Sequence, residues 1–456
     1  MKRRRCRVLI ADSLILSLVG ALTLSAKALD PPPGVTLSPR GALRGTAVGQ
    51  VGGGQAAEAS APGDEAVPDG QLASDPRLRL TGGRQQGGWL ARVALDPGPQ
   101  PKTTTGSPST SSSCTVSGAV PIGVGDDAQN VVNAHAAGTT YIVKAGTHLR
   151  NFSVQPKSGD RFCGEPGAVL DGGRSLSSAF YGNATNVTLD SITVQEYNPG
   201  RQGAAIQPQT HASGWVVRNV SALRNGWAGL LAADGMKILG GHYNDNDQLG
   251  IGGNEATGVI LDGLDDDPDT FDGPELARNH TMHASCEFEA GGMKWDVGQV
   301  TIRNVHAHHN DCRGLWADIN ARGALIEHNL VEDNWAEGVL YEISQDGVIR
   351  NNRIYRNGVG GKGWYWDGGI TVASSFNVEI YGNRLSGNYN GITGTQQDRP
   401  DSTPPAHLLD NLRVHDNLIC ATAGEHPTGI VADNGANLAA RDISFTGNTI
   451  QSDACQ

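Results

Sequence analysis

The chain has 456 residues and carries 47 acidic residues against 35 Lys and Arg, a formal net charge of −12. This acidic balance argues against nucleic acid as a partner. The 62 glycines and the 5% of aromatic residues are typical of a turn-rich β fold rather than a helical one.

The first 29 residues have the pattern of an export signal. Residues 2–5 form a basic head, residues 14–24 an apolar run, and residues 26–28 (Ala-Lys-Ala) a cleavage site. The run is too short for a comfortable membrane span, but Asp12 weakens the signal and leaves an uncleaved anchor as the alternative. We therefore expect a secreted or cell-surface protein whose only contact with a membrane is through this anchor.

Residues 30–113 are rich in Pro, Gly, Ala, Ser and Thr and show little hydrophobic periodicity. Such a segment cannot bury enough apolar surface to fold, so its composition predicts a disordered linker. We expect the ordered domain to occupy residues 114–456.

The ordered part repeats itself. An aliphatic residue, a polar pair and an Asn or Gly recur in ten stretches, whose starts lie 21 to 24 residues apart in four steps and 28 to 42 apart in the other five. The starts are Leu189, Val217, Ile238, Ile260, Ile302, Ile326, Ile349, Ile380, Val414 and Phe445. This period is typical of a solenoid with loops inserted into some turns.

Each repeat holds short β-branched runs broken by Asn and Gly, with no helical periodicity and no leucine ladder. The pattern predicts an all-β parallel β-helix of about 10–12 coils, whose strands stack at about 4.8 Å. Six asparagines lie eight residues after their coil's start, and we expect them to stack at one corner and to hydrogen-bond along the axis. They are Asn225, Asn246, Asn310, Asn334, Asn357 and Asn388.

The segment 141–173 (YIVKAGTHLRNFSVQPKSGDRFCGEPGAVLDGG) leads into these repeats. With them it resembles secreted right-handed parallel β-helix repeat proteins of the pectate-lyase-like superfamily, over residues 120–456. The resemblance implies a right-handed coil. It does not imply one reaction, because this fold carries lyases, hydrolases, epimerases and adhesins.

Six of the seven cysteines follow the signal segment, and in an exported chain an even number favours disulfides. Six cysteines allow 15 pairings. Separations of about one coil favour Cys286–Cys312 and Cys420–Cys455, which leaves Cys114 with Cys163. A zinc site is the weaker interpretation, since the sequence has no CxxC pair.

A glycine opens one strand in each of six coils: Gly250, Gly291, Gly314, Gly338, Gly369 and Gly391. Strand alternation sends the fourth residue after each glycine outward. With a one-residue bulge after Gly291, this outward column reads Asn254, Lys294, Asp318 and Glu342 on consecutive coils.

Arg313 and Glu337 form a second column beside the first, and Trp316 and Asn320 flank Asp318. A base and two acids beside a tryptophan resemble a site for an acidic sugar, because an indole face stacks on pyranose rings. A solvated polar face is the alternative, since outward charge ladders stabilise a sheet modestly.

The run CEFEAGGMK, residues 286–294, adds a local motif. Its Glu-x-Glu-x4-Lys spacing is similar to that of polysaccharide lyases of the chondroitinase B and alginate lyase group. The resemblance implies that Glu287, Glu289 and Asn254 bind calcium, that Lys294 removes the proton α to a uronate carboxylate, and that Arg313 partners the charge that develops. Hard oxygen ligands suit calcium.

We therefore expect an acidic polysaccharide as partner and its cleavage by β-elimination. One alternative is a retaining glycoside hydrolase, in which Asp318 and Glu342 on adjacent coils form the carboxylate pair. The other is a non-catalytic carbohydrate-binding or adhesin surface.

Two insertions add candidate sugar contacts. Trp364 and Trp366 could form a platform at the rim of a groove or pack as a small core within their own loop. Gln397 and Arg399 could reach sugar hydroxyls. His306, His308 and His309 also cluster, but imidazoles two apart on a strand are usually surface groups, and zinc is the weaker interpretation.

Overall fold

The computed structural model describes Leu78–Arg79 and Ala94–Leu95, and then residues 117–264, 271–288, 290–360, 363–397, 407–424, 426–433 and 435–455. Leu78–Arg79 (β1) and Ala94–Leu95 (β2) pair antiparallel. The predicted signal and, apart from these four residues, the predicted linker lie outside the described residues.

Residues from 120 onward wind into a right-handed parallel β-helix, as predicted. The coils stack their strands into three long parallel sheets, and from β6 to β37 the chain visits the sheets in turn. The first sheet consists of β3 (Val120–Ile122), β4 (Thr140–Val143), β6 (Arg161–Gly164), β9 (Thr188–Asp190), β12 (Val216–Arg218), β15 (Lys237–Leu239), β18 (Val259–Asp262), β21 (Val300–Arg303), β24 (Leu325–Glu327), β27 (Val348–Arg350), β30 (Phe376–Tyr381), β33 (Asp410–His415) and β36 (Ile443–Thr446).

The second and third sheets have 12 and 10 strands. The second consists of β5 (Gly146–Leu149), β7 (Ala168–Asp171), β10 (Thr193–Gln195), β13 (Ser221–Leu223), β16 (His242–Asn244), β19 (Glu275–Ala277), β22 (His306–His308), β25 (Leu330–Glu332), β28 (Arg353–Tyr355), β31 (Arg384–Ser386), β34 (Leu418–Cys420) and β37 (Thr449–Gln451). The third consists of β8 (Phe180–Gly182), β11 (Ala204–Pro208), β14 (Ala228–Leu231), β17 (Leu249–Gly252), β20 (Gly291–Asp296), β23 (Arg313–Asp318), β26 (Val339–Glu342), β29 (Gly368–Ala373), β32 (Asn390–Gln396) and β35 (Thr428–Ala432).

The predicted coil starts form one inward column of the first sheet, where each side chain packs on its counterpart in the next coil. Val217 pairs with Ile238, and Ile326 with Ile349, and all four are fully buried. One predicted start is wrong: Ile238 pairs with Leu261, not Ile260, and Leu261 pairs in turn with Ile302. Two aliphatic residues are adjacent there, and only stacking decides which one enters the core.

Helices are minor elements of the described chain. α1 (Ala128–Asn133) buries Ala128 and Val132 against the first coils, and the side chain of its N-cap Asp127 accepts a hydrogen bond from the Asn130 amide at 3.0 Å. A 3-10 helix covers Leu438–Ala440. No helix in the described part of the chain is long and apolar enough to span a membrane.

Two of the three predicted disulfides are confirmed. Cys286–Cys312 and Cys420–Cys455 each join neighbouring coils, with Cα atoms 5.6 and 5.7 Å apart. Cys114 lies outside the described residues, so its pairing with Cys163 stays a prediction.

The predicted asparagine stack is present and buried between the second and third sheets. Each amide oxygen accepts from the backbone N–H and side-chain amide of the preceding member, as Asn334 does from Asn310 at 3.1 and 2.8 Å. The stack also includes Asn279, which the insertion before β19 displaces from the eight-residue spacing. A second stack at another corner consists of Asn329, Asn352, Asn383, Asn417 and Asn448.

We expect Asn334→Ala to destabilise the protein by about 3 kcal/mol or more. The side chain is fully buried, and it satisfies the Asn310 amides, the Ala307 carbonyl and the Asn357 side chain. Each polar group left buried without a partner costs about 1–3 kcal/mol. Urea denaturation measures the loss. Asn448→Ala is the control, because that stack member is only partly buried and water can reach the groups it leaves; equal losses would contradict the argument.

Candidate functional site

A cleft of about 430 Å³ lies on the outward face of the third sheet. β20, β23 and β26 form its floor, the loop before β20 and the segment before β29 form its walls, and Gln397 after β32 closes one end. Its lining residues are Glu287, Phe288, Lys294, Arg313, Trp316, Asp318, Ile319, Glu342, Ile343, Trp366 and Gln397. All four residues predicted to be catalytic therefore face one cavity.

The predicted order of the outward column is wrong by two residues at Lys294. In the β20–β23 register Lys294 lies opposite Trp316, and Asp296 lies opposite Asp318. The glycine that aligns with Gly314 is consequently Gly292, since Gly291 pairs with Arg313. The sequence does not reveal this register, because the strand begins with two glycines, Gly291 and Gly292, and either one could align with Gly314.

Lys294 nevertheless contacts Asp318, because its long side chain reaches diagonally to the next coil. Lys294 Nζ lies 3.0 Å from Asp318 Oδ2, and both side chains are 7% exposed. The other carboxylate oxygen of Asp318 accepts a hydrogen bond from the Ile319 amide at 2.8 Å. The two side chains therefore form an ion pair at the floor of the cleft.

Trp316 supports the two cations of the cleft. Lys294 Nζ lies 4.4 Å and Arg313 Cζ 4.2 Å from the centroid of its ring, within the range of cation–π attraction. Trp316 is only 3% exposed. Its ring contacts are with Lys294 and Arg313, and they fix where the positive charges lie; Trp316 also lines the cleft, and its stacking on a sugar stays a prediction.

Arg313 is tied to the cleft wall. Its Nε lies 3.1 Å from Glu337 Oε2, although the two atoms are not aligned as a hydrogen bond. Its Nη1 donates to the Cys286 carbonyl. Because Cys286 is linked to Cys312, the residue before Arg313, the wall and the floor of the cleft are joined covalently at this point.

Asp318 and Glu342 end adjacent strands of the floor. Ala317 pairs with Tyr341, so the two acids follow on neighbouring rungs about 4.8 Å apart. They are 5% and 6% exposed. Two carboxylates so placed have unlike surroundings, because the ammonium of Lys294 contacts Asp318.

Asp296 lies one rung before Asp318, and burial raises its pKa even though the Glu255 amide and the charge of Lys294 favour its carboxylate. Folding therefore works against ionisation of this carboxyl group, which pairs in register with Asp318.

Strained backbone follows the acids. Val297, Ile319 and Ile343 come directly after Asp296, Asp318 and Glu342, and they have φ of 51°, 46° and 37°. A β-branched residue in this left-handed region costs about 1–3 kcal/mol. Ile319 and Ile343 line the cleft, and such strain concentrates at functional sites.

The proposed calcium ligands are only partly brought together. Glu287 is exposed at the edge of the cleft, whereas Glu289 lies outside the described residues. Asn254 follows β17, its side-chain amide donates to the Ala232 carbonyl at 3.3 Å, and it does not line the cleft. Calcium takes six to eight oxygen ligands. Of the two predicted ligands that the structure describes, Glu287 lines the cleft and Asn254 does not.

The predicted sugar contacts divide in a similar way. Trp366 and Gln397 line the cleft, and Trp366 packs against the cluster of Trp316, Leu340 and Ala373. Trp364 is 53% exposed in the same loop, but neither it nor Asn320 is among the lining residues. Arg399 lies outside the described residues.

Sequence reasoning missed the apolar part of the lining. Phe288 is 67% exposed and Ile319 43% exposed, and with Ile343 they give the charged floor an apolar rim. Phe288 lies between Glu287 and Glu289 of the motif, and this position could have indicated that it lines the same cleft. Ile319 and Ile343 gave none, because a β-branched residue after an acid ordinarily predicts that the strand continues.

Comparisons with known proteins agree with this fold. Residues 202–403 match the family described as "Right handed beta helix region". No curated protein matches the chain significantly.

The chain is also similar to solved structures at low identity. The Azotobacter vinelandii mannuronan C-5 epimerase AlgE4 A-module is 14% identical, with 71% of this chain and 96% of that chain covered and a TM-score of 0.49. The AlgE6 A-module of the same organism is 13% identical, with coverages of 72% and 93% and a TM-score of 0.47. An alginate lyase, AlyF-OU02, is 12% identical, with coverages of 73% and 84% and a TM-score of 0.38.

We expect Asp296→Asn and Asp318→Asn to change stability in opposite directions. Burial raises the pKa of Asp296, so folding favours the protonated carboxyl group. Its contribution to the free energy of unfolding is lost as pH rises from the ordinary value of about 3.9 through the raised pKa. Asp296→Asn is therefore stabilising at pH 7, and the gain disappears in acid. Asp318→Asn removes the carboxylate that lies 3.0 Å from the buried Lys294 ammonium, and breaking such a buried ion pair costs about 3–5 kcal/mol at pH 7. Urea denaturation at pH 7 and in acid tests this prediction. A change in the free energy of unfolding of the same sign for both variants at pH 7 would contradict it.

We also expect Ile319→Asn to stabilise the protein by about 1 kcal/mol. Asn adopts the left-handed region readily, and Ile319 is 43% exposed, so little apolar burial is lost. Thermal unfolding measures the change. Ile443→Asn is the control, because that residue lies within β36 and has no positive φ to relieve; a loss of stability in Ile319→Asn equal to the control's would refute the strain argument.

Proposed function

We propose that the cleft binds an acidic polysaccharide and cleaves it by β-elimination. The observation that carries the proposal is that Glu287 and Lys294 of one motif and Arg313 of the next coil line one cavity. They belong to the set that resembles the chondroitinase B and alginate lyase group; of its other members, Asn254 does not line the cleft and Glu289 lies outside the described residues. An extended outward sheet face gives a polymer room to pass, and the predicted export would bring the protein to such polymers.

The two cations give the cleft its affinity for a uronate. Both lie beside the same indole ring, so a substrate carboxylate binds between the ammonium of Lys294 and the guanidinium of Arg313, and the guanidinium still neutralises it after Lys294 has lost its proton. Neutralising this carboxylate acidifies the C–H bond α to it and stabilises the enolate-like charge that forms when the proton leaves.

Elimination then transfers one proton and breaks one C–O bond. The base takes the α-proton, the electron pair forms the C=C bond, and the glycosidic oxygen leaves with a proton from an acid or from water. Lys294 is the proposed base, and its amine accepts the proton only after the ammonium has passed its own proton to Asp318, 3.0 Å away, or to water. Glu342, on the next rung, is placed to donate to the leaving oxygen.

Charge balance bears on calcium. Three carboxylates and two cations line the cleft, so an acidic sugar adds to an excess of negative charge. We propose that Glu287 holds part of a calcium site; a bound ion would supply further positive charge to the substrate carboxylate. No step of the reaction above depends on it.

Retaining glycoside hydrolysis is the second candidate, and the Lys294–Asp318 ion pair favours it. The ammonium of Lys294 orients Asp318 by its 3.0 Å contact, so Asp318 would act as the nucleophile, while Glu342 on the adjacent strand would be the acid and base. The rung spacing of about 4.8 Å is close to the separation of about 5–5.5 Å between the carboxyl groups of retaining enzymes.

The products separate the two reactions. We expect incubation with a panel of uronate polymers to release products with the ultraviolet absorbance of an unsaturated uronate. Lys294→Arg keeps a positive charge but removes a usable base, and we expect it to lower kcat by about 10²–10⁴-fold with little change in KM. Lys237→Arg is the control, because Lys237 is exposed on the first sheet.

Other outcomes decide against elimination. New reducing ends without ultraviolet absorbance, lost in both Asp318→Asn and Glu342→Gln, would establish the hydrolase. Binding without any cleavage of acidic or neutral polymers would leave a binding surface. A chelator that lowers lyase turnover in the wild type but not in Glu287→Gln would support the calcium proposal, and an unchanged rate would refute it.

A further inference from the structure

The second sheet carries a cluster of histidines and glutamates that the cleft does not include. His306 and His308 project from β22, with ring centroids 4.1 Å apart. On the strand before, Glu275 pairs in register with His306. On the strand after, Glu332 pairs in register with His308. Two imidazoles are thus flanked by a carboxylate on each side.

The contacts within this cluster are diagonal. His308 Nε2 lies 2.9 Å from Glu275 Oε1, and His306 Nε2 lies 3.0 Å from Glu332 Oε1. The side chains are 13% to 26% exposed, so solvent ions reach them although their positions are fixed. Because a carboxylate only accepts hydrogen bonds, each Nε2 carries the shared proton.

We propose that His306, His308, Glu275 and Glu332 form a binding site for a divalent transition-metal ion of the zinc type. Imidazole nitrogen and carboxylate oxygen suit these ions, at bond lengths of about 2.0–2.2 Å. Two ligand atoms on one tetrahedral ion then lie about 3.3 Å apart. The N–O separations of 2.9 and 3.0 Å differ from this by a few tenths of an ångström, so the ion takes the place of the shared protons.

Binding of one ion also requires the donor atoms of the two diagonal pairs, His308–Glu275 and His306–Glu332, to point toward the same position. Among the described residues, the three-donor group already within 4.8 Å is a different one, His280, Cys286 and Cys312, and its cysteines are joined in a disulfide. The His306 and His308 rings are already 4.1 Å apart, so binding requires these imidazoles to rotate and the remaining oxygen of each carboxylate to turn toward the same point.

The surroundings orient both carboxylates. Asn244 Nδ2 donates to Glu275 Oε2 at 2.9 Å, and His242 contacts the same oxygen. Arg356 Nη2 donates to Glu332 Oε2 at 2.7 Å. Each glutamate therefore keeps one oxygen for its histidine while the other is held in place. Outer hydrogen bonds of this kind fix the ligands of metal sites, and two carboxylates balance the charge of a divalent cation.

Titration of the untagged full chain with ZnCl₂ tests the proposal. We expect one saturable Zn²⁺ per chain by calorimetry and equilibrium dialysis, and a Co²⁺ complex with the visible spectrum of tetrahedral coordination. We expect His308→Ala and the isosteric Glu332→Gln to weaken binding by about 10–100-fold or more. Glu332→Gln keeps the shape of the side chain, so it remains informative if His308→Ala fails to fold, which circular dichroism would show.

His415→Ala is the matched control. His415 also contacts two carboxylates, Glu379 at 3.3 Å and Asp416 at 2.9 Å, and its ring stacks on Tyr381 rather than on a second imidazole. We expect it to bind Zn²⁺ like the wild type. The proposal is overturned if the wild type binds no Zn²⁺ saturably, if Glu332→Gln binds unchanged, or if binding appears only after reduction and is lost in His280→Ala, which would place the metal at the cysteines.

Discussion

In the described part of the chain, the stacked coils satisfy backbone and corner groups on the coils above and below them. The sheet strands do this through parallel hydrogen bonds, and the corners through buried asparagines, each of which accepts from one coil and donates to others. A buried amide without partners is costly, so the stack fixes both the register and the rise of the solenoid. The cleft depends on that register, since its charged groups come from successive coils.

The sequence carries the repeat in a form that can be read directly. Short aliphatic runs and asparagines at a constant offset predict a β-helix, because two periodicities agree at every coil. The prediction fails where the sequence offers two equivalent choices. Ile260 and Leu261 are both aliphatic, and Gly291 and Gly292 are both glycines, so only stacking on the neighbouring coil decides which residue enters the column.

The candidate site could be predicted as a set of residues but not as a set of contacts. Lys294, Arg313, Asp318 and Glu342 face one cleft, as outward residues on adjacent coils must. The diagonal contact of Lys294 with Asp318 depends on side-chain length, and the burial of Trp316 under two cations depends on packing. Neither follows from spacing. The same holds for His306 and His308, whose carboxylate partners come from strands before and after them.

The diagonal contacts have a consequence for how such a surface evolves. Residues on neighbouring strands such as Lys294 and Trp316 pair directly in register. The opposite charges, in contrast, contact each other between positions offset by two residues, such as Lys294 and Asp318. His308 with Glu275, and His306 with Glu332, follow the same offset. A loop that grows or shrinks between strands leaves these pairs intact. A single-residue shift inside one strand separates them all, so the outward faces tolerate changes of loop length far better than changes of strand length.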